Sequence, residues 1–176
     1  MTPRMNTKLD WIFRRRSVRA FLPDAVSGET VQDLLEAAMA APSAAAKDPW
    51  HFIVVRDADL RGRIAAALPY GAMVKTAPLC IVVLGDVERA HDQLPSYLLQ
   101  DVSAAIENLL LAASTLGLGA VWLGVHPRTD RMQAIRTLFQ LPDAIHAVAV
   151  LAIGYPAEQP SPRTRYRTEA VHEERW

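Results

Sequence analysis

The segment FRRRSVRAF, Phe13 to Phe21, places four arginines and a serine within nine residues. Guanidinium forks match phosphate oxygens, and a serine hydroxyl adds a neutral donor. Arg15, Arg16, Ser17 and Arg19 fall where a helical pattern (Leu9, Ile12, Phe13) gives way to the extended-looking SVRAFLP. Such a change of backbone conformation could gather the four side chains into an oxyanion clamp. Arginines at a helix end facing water are the plain alternative, and the run by itself does not decide between the two. The rest of the chain is not basic: 19 Lys and Arg offset 19 Asp and Glu, leaving a net charge of zero. A general nucleic-acid or anionic-membrane binder needs a large basic excess, so the positive charge here is a local device.

Two further stretches could meet a ligand. In APSAAAKDPW (Ala41 to Trp50) two prolines bracket small side chains between a helix and a strand. Such a thin loop lets a flat ring approach the backbone, although a plain connector looks the same. GLGAVWLG (Gly117 to Gly124) superficially suggests a dinucleotide loop, but its glycines leave a helix and enter a strand. The dinucleotide fingerprint runs from strand to helix, so that site is rejected. What remains is a strand end, Trp122 to Gly124, with backbone N–H groups to offer. His51, His91, His126, His146 and His172 show no metal-ligand spacing, so no metal site is expected. Asp101, Glu107 and Asn108 interrupt an apolar helix and read as groups that cap, pair or hydrogen-bond within the core.

The elements that must position these residues follow from periodicity. The 176 residues, 51% apolar and 22% charged, suit one domain spanning 1–176, with a polar tail from about 157. Ser27 can cap a helix carrying the stripe Val31, Leu34, Leu35, Ala38 and Met39, with Val26 and Val31 at hydrophobic-staple spacing. Pro42 ends it. Trp50 to Val55 reads as a strand, Leu60 to Leu68 as a short helix, and LCIVVLGD as a strand buried on both faces. A long helix from about Pro95 to Leu116 closes at Gly117, a natural C′ glycine. GAVWLGV, TDRMQAIRTLFQLP and HAVAVLAIGYP follow as strand, helix and strand. On the residues alone this is an α/β-type domain. Cys80, the single cysteine, lies in APLCIVVLG and reads as a buried hydrophobe. With no signal peptide and no spanning segment evident, a cytoplasmic location is expected.

Several segments, taken together and in order, resemble the FMN-dependent nitroreductases. They are RRSVRAF (Arg15–Phe21), LLEAAMAAPSAAAKDPWHFIVV (Leu34–Val55), DVSAAIENLLLAASTLGLGAVWLG (Asp101–Gly124), LPDAIHAVAVLAIGYP (Leu141–Pro156) and the arginine-rich tail from Arg163 to Trp176. The resemblance implies an α+β, three-layer α/β/α fold with a central, mainly antiparallel sheet, built as an intertwined homodimer with FMN at the subunit interface. It implies that Arg15, Arg16, Ser17 and Arg19 grip the FMN phosphate and ribityl chain, joined by Arg163 and Arg165 of the tail. Pro42, Ser43 and Ala44 match the loop that a second subunit lays against the flavin ring. Leu123 and Gly124 match strand-end backbone that contacts the ring.

The implied activity is ping-pong reduction of nitroaromatic, quinone or related acceptors by NADH or NADPH, with the chemistry carried by FMN and no catalytic side chain named. The tail is expected to pack on the partner subunit or to close the FMN site. One departure stands out: the family often reads P-S-x-x-N-x-Q-P-W in the loop, and Ala46 and Asp48 replace its Asn and Gln. This keeps open specialised flavin chemistry on the same fold, such as dehalogenation, ene reduction or flavin breakdown, and a non-catalytic FMN-binding protein.

Overall fold

The computed structural model describes residues 5–176. Its core is a four-stranded sheet: β1 (Trp50–Val55), β2 (Leu79–Asp86), β3 (Gly119–Gly124) and β4 (Ile145–Gly154), in the order β1-β2-β4-β3. Every pairing is antiparallel. The bare alternation of strands and helices therefore sharpens to an α+β arrangement, as the family resemblance implied. The helices are α1 (Asp10–Arg14), α2 (Gly28–Met39), α3 (Ala58–Ala67), α4 (Ala72–Thr76), α5 (Pro95–Thr115) and α6 (Thr129–Phe139). Among the described residues, no helix is long and apolar enough to cross a membrane.

The local rules that shape these helices are visible in their caps. The Ser27 hydroxyl accepts from the Thr30 N–H at 3.0 Å, and Asp57 does the same for Leu60 at the start of α3, at 2.7 Å. Val26 and Val31 are both buried, so the staple closes around the Ser27 cap. At the end of α5, Gly117 takes φ +78°, and Leu118 N–H returns to the Ala113 carbonyl at 2.8 Å. That left-handed turn is where glycine is needed.

Central strand β2 explains the three layers. Side chains alternate along a strand, so Leu79, Ile81 and Val83 join the core under α2 and α5. Cys80, Val82 and Leu84 join the core under α3, α4 and α6. Burial on both faces is why the sequence there carries no polar residue. Burial also pushes the Cys80 thiol up to about 12, well outside the reactive range.

A bulge breaks the β2–β4 register after Val83, leaving Val148 without a partner opposite. The Val148 carbonyl instead accepts from Val125 and His126 at 3.2 and 3.1 Å. The chain leaving β3 is thereby fixed beside Gly124. Of the polar residues singled out on α5, Asn108 donates to the Ala37 carbonyl at 3.1 Å, exposed Glu107 pairs with Arg15, and Asp101 accepts one hydrogen bond through Oδ1 while its buried Oδ2 has no partner among the described residues.

Candidate active site

After α1 the chain extends and lies along β3. The Val18 N–H donates to the Ala120 carbonyl at 3.0 Å, and Ser17 and Ala120 form a parallel bridge. Val18 is buried against Gly119, where any side chain would collide with it. Alternation along an extended segment then turns Ser17 and Arg19 to the opposite face. Both are exposed there.

The tail completes this face. Arg16 donates to the carbonyl of Ser161, 145 positions later in the chain, and the Arg163 N–H reaches the Phe13 carbonyl at 3.3 Å. Arg15, Arg16, Ser17, Arg19, Arg163 and Arg165 together line one cleft of about 450 Å³, with Phe13, Thr164 and Glu107. Five guanidinium groups thus meet a single carboxylate among the described lining residues. Glu107 is spoken for, with its Oε1 3.4 Å from Arg15 Nε. The surplus positive charge is felt directly: Arg165, and then Arg16, push the Arg163 guanidinium below its ordinary pKa. Arg14, by contrast, pairs with Asp10 at 2.5 Å one turn away and lies outside this cleft.

A second chamber of about 500 Å³ adjoins the first, and Arg19 lines both. Its walls are Leu68, Pro69, Tyr70, Ala72, Met73, Val121, Trp122, Leu123 and Gly124, so it is mainly apolar. Arg131 forms a further wall and donates to the Gly124 carbonyl at 2.8 Å. No acidic residue is among the described lining residues. The arrangement is a guanidinium-rich end joined through Arg19 to a mainly apolar end, a chemistry suited to a ligand with a phosphate at one extremity and an aromatic ring at the other.

The structure brings together Arg15, Arg16, Ser17, Arg19, Arg163 and Arg165 in the first chamber, and Leu123 and Gly124 in the second. Pro42, Ser43 and Ala44 line neither. They begin a tight turn closed by Ser43 Oγ and Asp48 Oδ1 at 2.5 Å, with Ala45, Ala46 and Asp48 at positive φ. Buried Asp101 holds that turn from α5, its Oδ1 accepting from the Ala44 N–H at 2.9 Å. Trp50 is a core residue, whereas Trp11, Trp122 and Trp176 are exposed.

Arg131, Tyr70 and Glu158 were not singled out as site residues from the sequence, and Trp122 was named only for its backbone at the strand end. Arg131 carried one weak signal, a cation in the first turn of the helix that follows a glycine-ended strand. Glu158 carried none, because both N–H groups it accepts from lie in a segment far removed in the chain.

Comparison with known proteins identifies the family and the fold. The model of the Nitroreductase family matches residues 12–69 and 63–155. A Methanothermobacter thermautotrophicus protein named "Putative NADH dehydrogenase/NAD(P)H nitroreductase" is 44% identical over 168 residues, covering 96% of this chain and 87% of the relative. A Bacteroides thetaiotaomicron crystal structure of the same name superposes with a TM-score of 0.91 at 40% identity, covering 98% and 100% of the two chains. A Desulfovibrio desulfuricans crystal structure named "putative nitroreductase in complex with fmn" has a TM-score of 0.83 at 35% identity, covering 98% and 99%. The chain belongs to the nitroreductase family.

Proposed function

We propose that this protein is an FMN-dependent oxidoreductase that takes electrons from NADH or NADPH. It passes them to nitroaromatic, quinone or related acceptors in alternating half-reactions, as a homodimer with FMN at the subunit interface. The observation that carries the reading is the convergence of five guanidinium groups, drawn from both ends of the chain, on one cleft with a single carboxylate. A phosphate is the counter-charge that such a donor set lacks, so the residues fit FMN.

In this reading Arg15, Arg16, Ser17, Arg19, Arg163 and Arg165 hold the phosphate and its neighbouring polyol. Leu123 and Gly124, beside Trp122, bound the ring. When bound, FMN supplies the hydride and electron transfer. The protein's part is position and electrostatics. Arg19 and Arg131 set two positive charges in an apolar chamber without a carboxylate, an environment that favours added negative charge on a ring held there. Pro42, Ser43 and Ala44, which line neither chamber of their own chain, would serve a second subunit. The exposed Trp11 and the solvent-facing tail beyond Arg165 are further surfaces suited to a homodimer.

The test is titration of cofactor-free protein with FMN and, separately, with riboflavin, which lacks the phosphate. FMN should bind tightly and riboflavin at least about 100-fold more weakly, as expected for loss of several charge-assisted hydrogen bonds. Equal affinity for the two would remove the phosphate clamp from the reading.

A further inference from the structure

We propose that Glu158 is a positioning residue for cofactor binding: it fixes the backbone at Arg19, the residue shared by the two chambers. The inference rests on the FMN reading above and adds a residue to it. The Val18 N–H is satisfied by β3, but beyond Val18 the extended segment leaves the strand. The next two donors, the N–H groups of Arg19 and Ala20, point to one carboxylate oxygen. Glu158 Oε1 accepts them at 2.6 and 3.2 Å.

The tail is registered there by two backbone bonds on one side of this contact. Ala157 N–H donates to the Ala20 carbonyl at 2.9 Å, and Leu22 N–H donates to the Tyr155 carbonyl at 2.8 Å. Glu158 therefore sits at the junction between the strand-bound and tail-bound parts of the clamp. Arg19, whose backbone it holds, is the one residue among those described that lines both chambers. The charged groups sharing the groove around Glu158 are Arg16, Arg14 and Asp10, and Asp10 is paired with Arg14. Its two N–H bonds, followed by the Arg19 charge, hold the carboxyl below its ordinary range. A carboxylate is a stronger acceptor for two peptide donors than a neutral oxygen. This explains an acidic side chain beside a site built to bind an anion: it faces the backbone and leaves the guanidinium free for the ligand.

The experiment is a double-mutant cycle read as the FMN dissociation constant of the cofactor-free protein. Glu158→Ala should weaken FMN at least about five-fold, the scale of charge-assisted hydrogen bonds discounted for exposure. Glu158→Gln, which keeps an acceptor oxygen, should recover most of the loss. In an Arg19→Ala background, Glu158→Ala should add less than about a two-fold further loss, because the residue it positions is gone. Thermal melts check that each variant is folded. If Glu158→Ala does not fold, Glu158→Asp, with the same charge and one methylene less reach, takes its place. Wild-type affinity in Glu158→Ala, or equal losses in both backgrounds, would overturn the proposal. Absence of FMN binding by the wild type itself would overturn the functional reading instead, and with it this role.

Discussion

Val18 sits directly on Gly119: a Cβ placed on the glycine would come within 2.6 Å of Val18 Cγ1 and 2.7 Å of Val18 Cβ. This contact lets the arginine segment lie flat on β3. It is the reason a glycine opens that strand, beyond anything the strand itself needs.

Replacing Gly119 with alanine should therefore do two things together. It should destabilise the fold by about 1–3 kcal/mol, the usual range for overpacking a close contact. It should also weaken FMN binding, because Val18 must move and Ser17 and Arg19 flank it. Thermal denaturation and cofactor titration on one preparation check both. A loss of stability with unchanged affinity would separate the packing from the clamp.

The clamp makes a prediction about which arginines matter. Arg19→Ala combined with Arg165→Ala should weaken FMN by about 100-fold or more, since each charge-assisted bond contributes about 1.5–3 kcal/mol. Arg14→Ala should change affinity less than about two-fold, because Arg14 pairs with Asp10 outside the cleft. Equal losses in the two proteins would sink the assignment of Arg19 and Arg165.

Much of this arrangement was legible in the sequence, and the reason is locality. The Ser27 cap with its Val26 and Val31 staple, the unbroken apolar run of β2 and the turn at Gly117 each depend on neighbours within a few residues. The arginine run was legible as charge, and the family resemblance added the expectation that it meets a phosphate. What could not be read was whatever joins distant segments. The Glu158–Arg19 contact spans 139 positions and the Asp101–Ala44 contact 57. Neither leaves a periodic trace. Helix α4, five residues long, is too short to show a period of 3.6, and the strand order β1-β2-β4-β3 depends on pairing rather than on any one strand.

Acid should act on the clamp through Glu158. Its carboxyl is held below the ordinary value of 4.5 in the folded protein, first by the Arg19 N–H and then by that of Ala20. A lowered folded value means that the contribution to stability is fully present above pH 4.5. It is lost as pH falls through the lowered value, where the folded protein at last takes up the proton. Glu158→Gln should accordingly lose stability less steeply than the wild type as pH drops below 4.5. Chemical denaturation at a series of pH values measures the slope, and identical slopes would show that Glu158 is not linked to folding.

The central claim is that this chain holds FMN and accepts electrons from a nicotinamide. Anaerobic titration of the purified, FMN-loaded protein with NADH and with NADPH, followed by the flavin absorption, tests it most directly. The predicted result is a yellow protein bleached by about one equivalent of at least one donor per FMN, the stoichiometry of a two-electron transfer. A colourless protein that takes up no added FMN, or a loaded protein that neither nicotinamide bleaches, would contradict it.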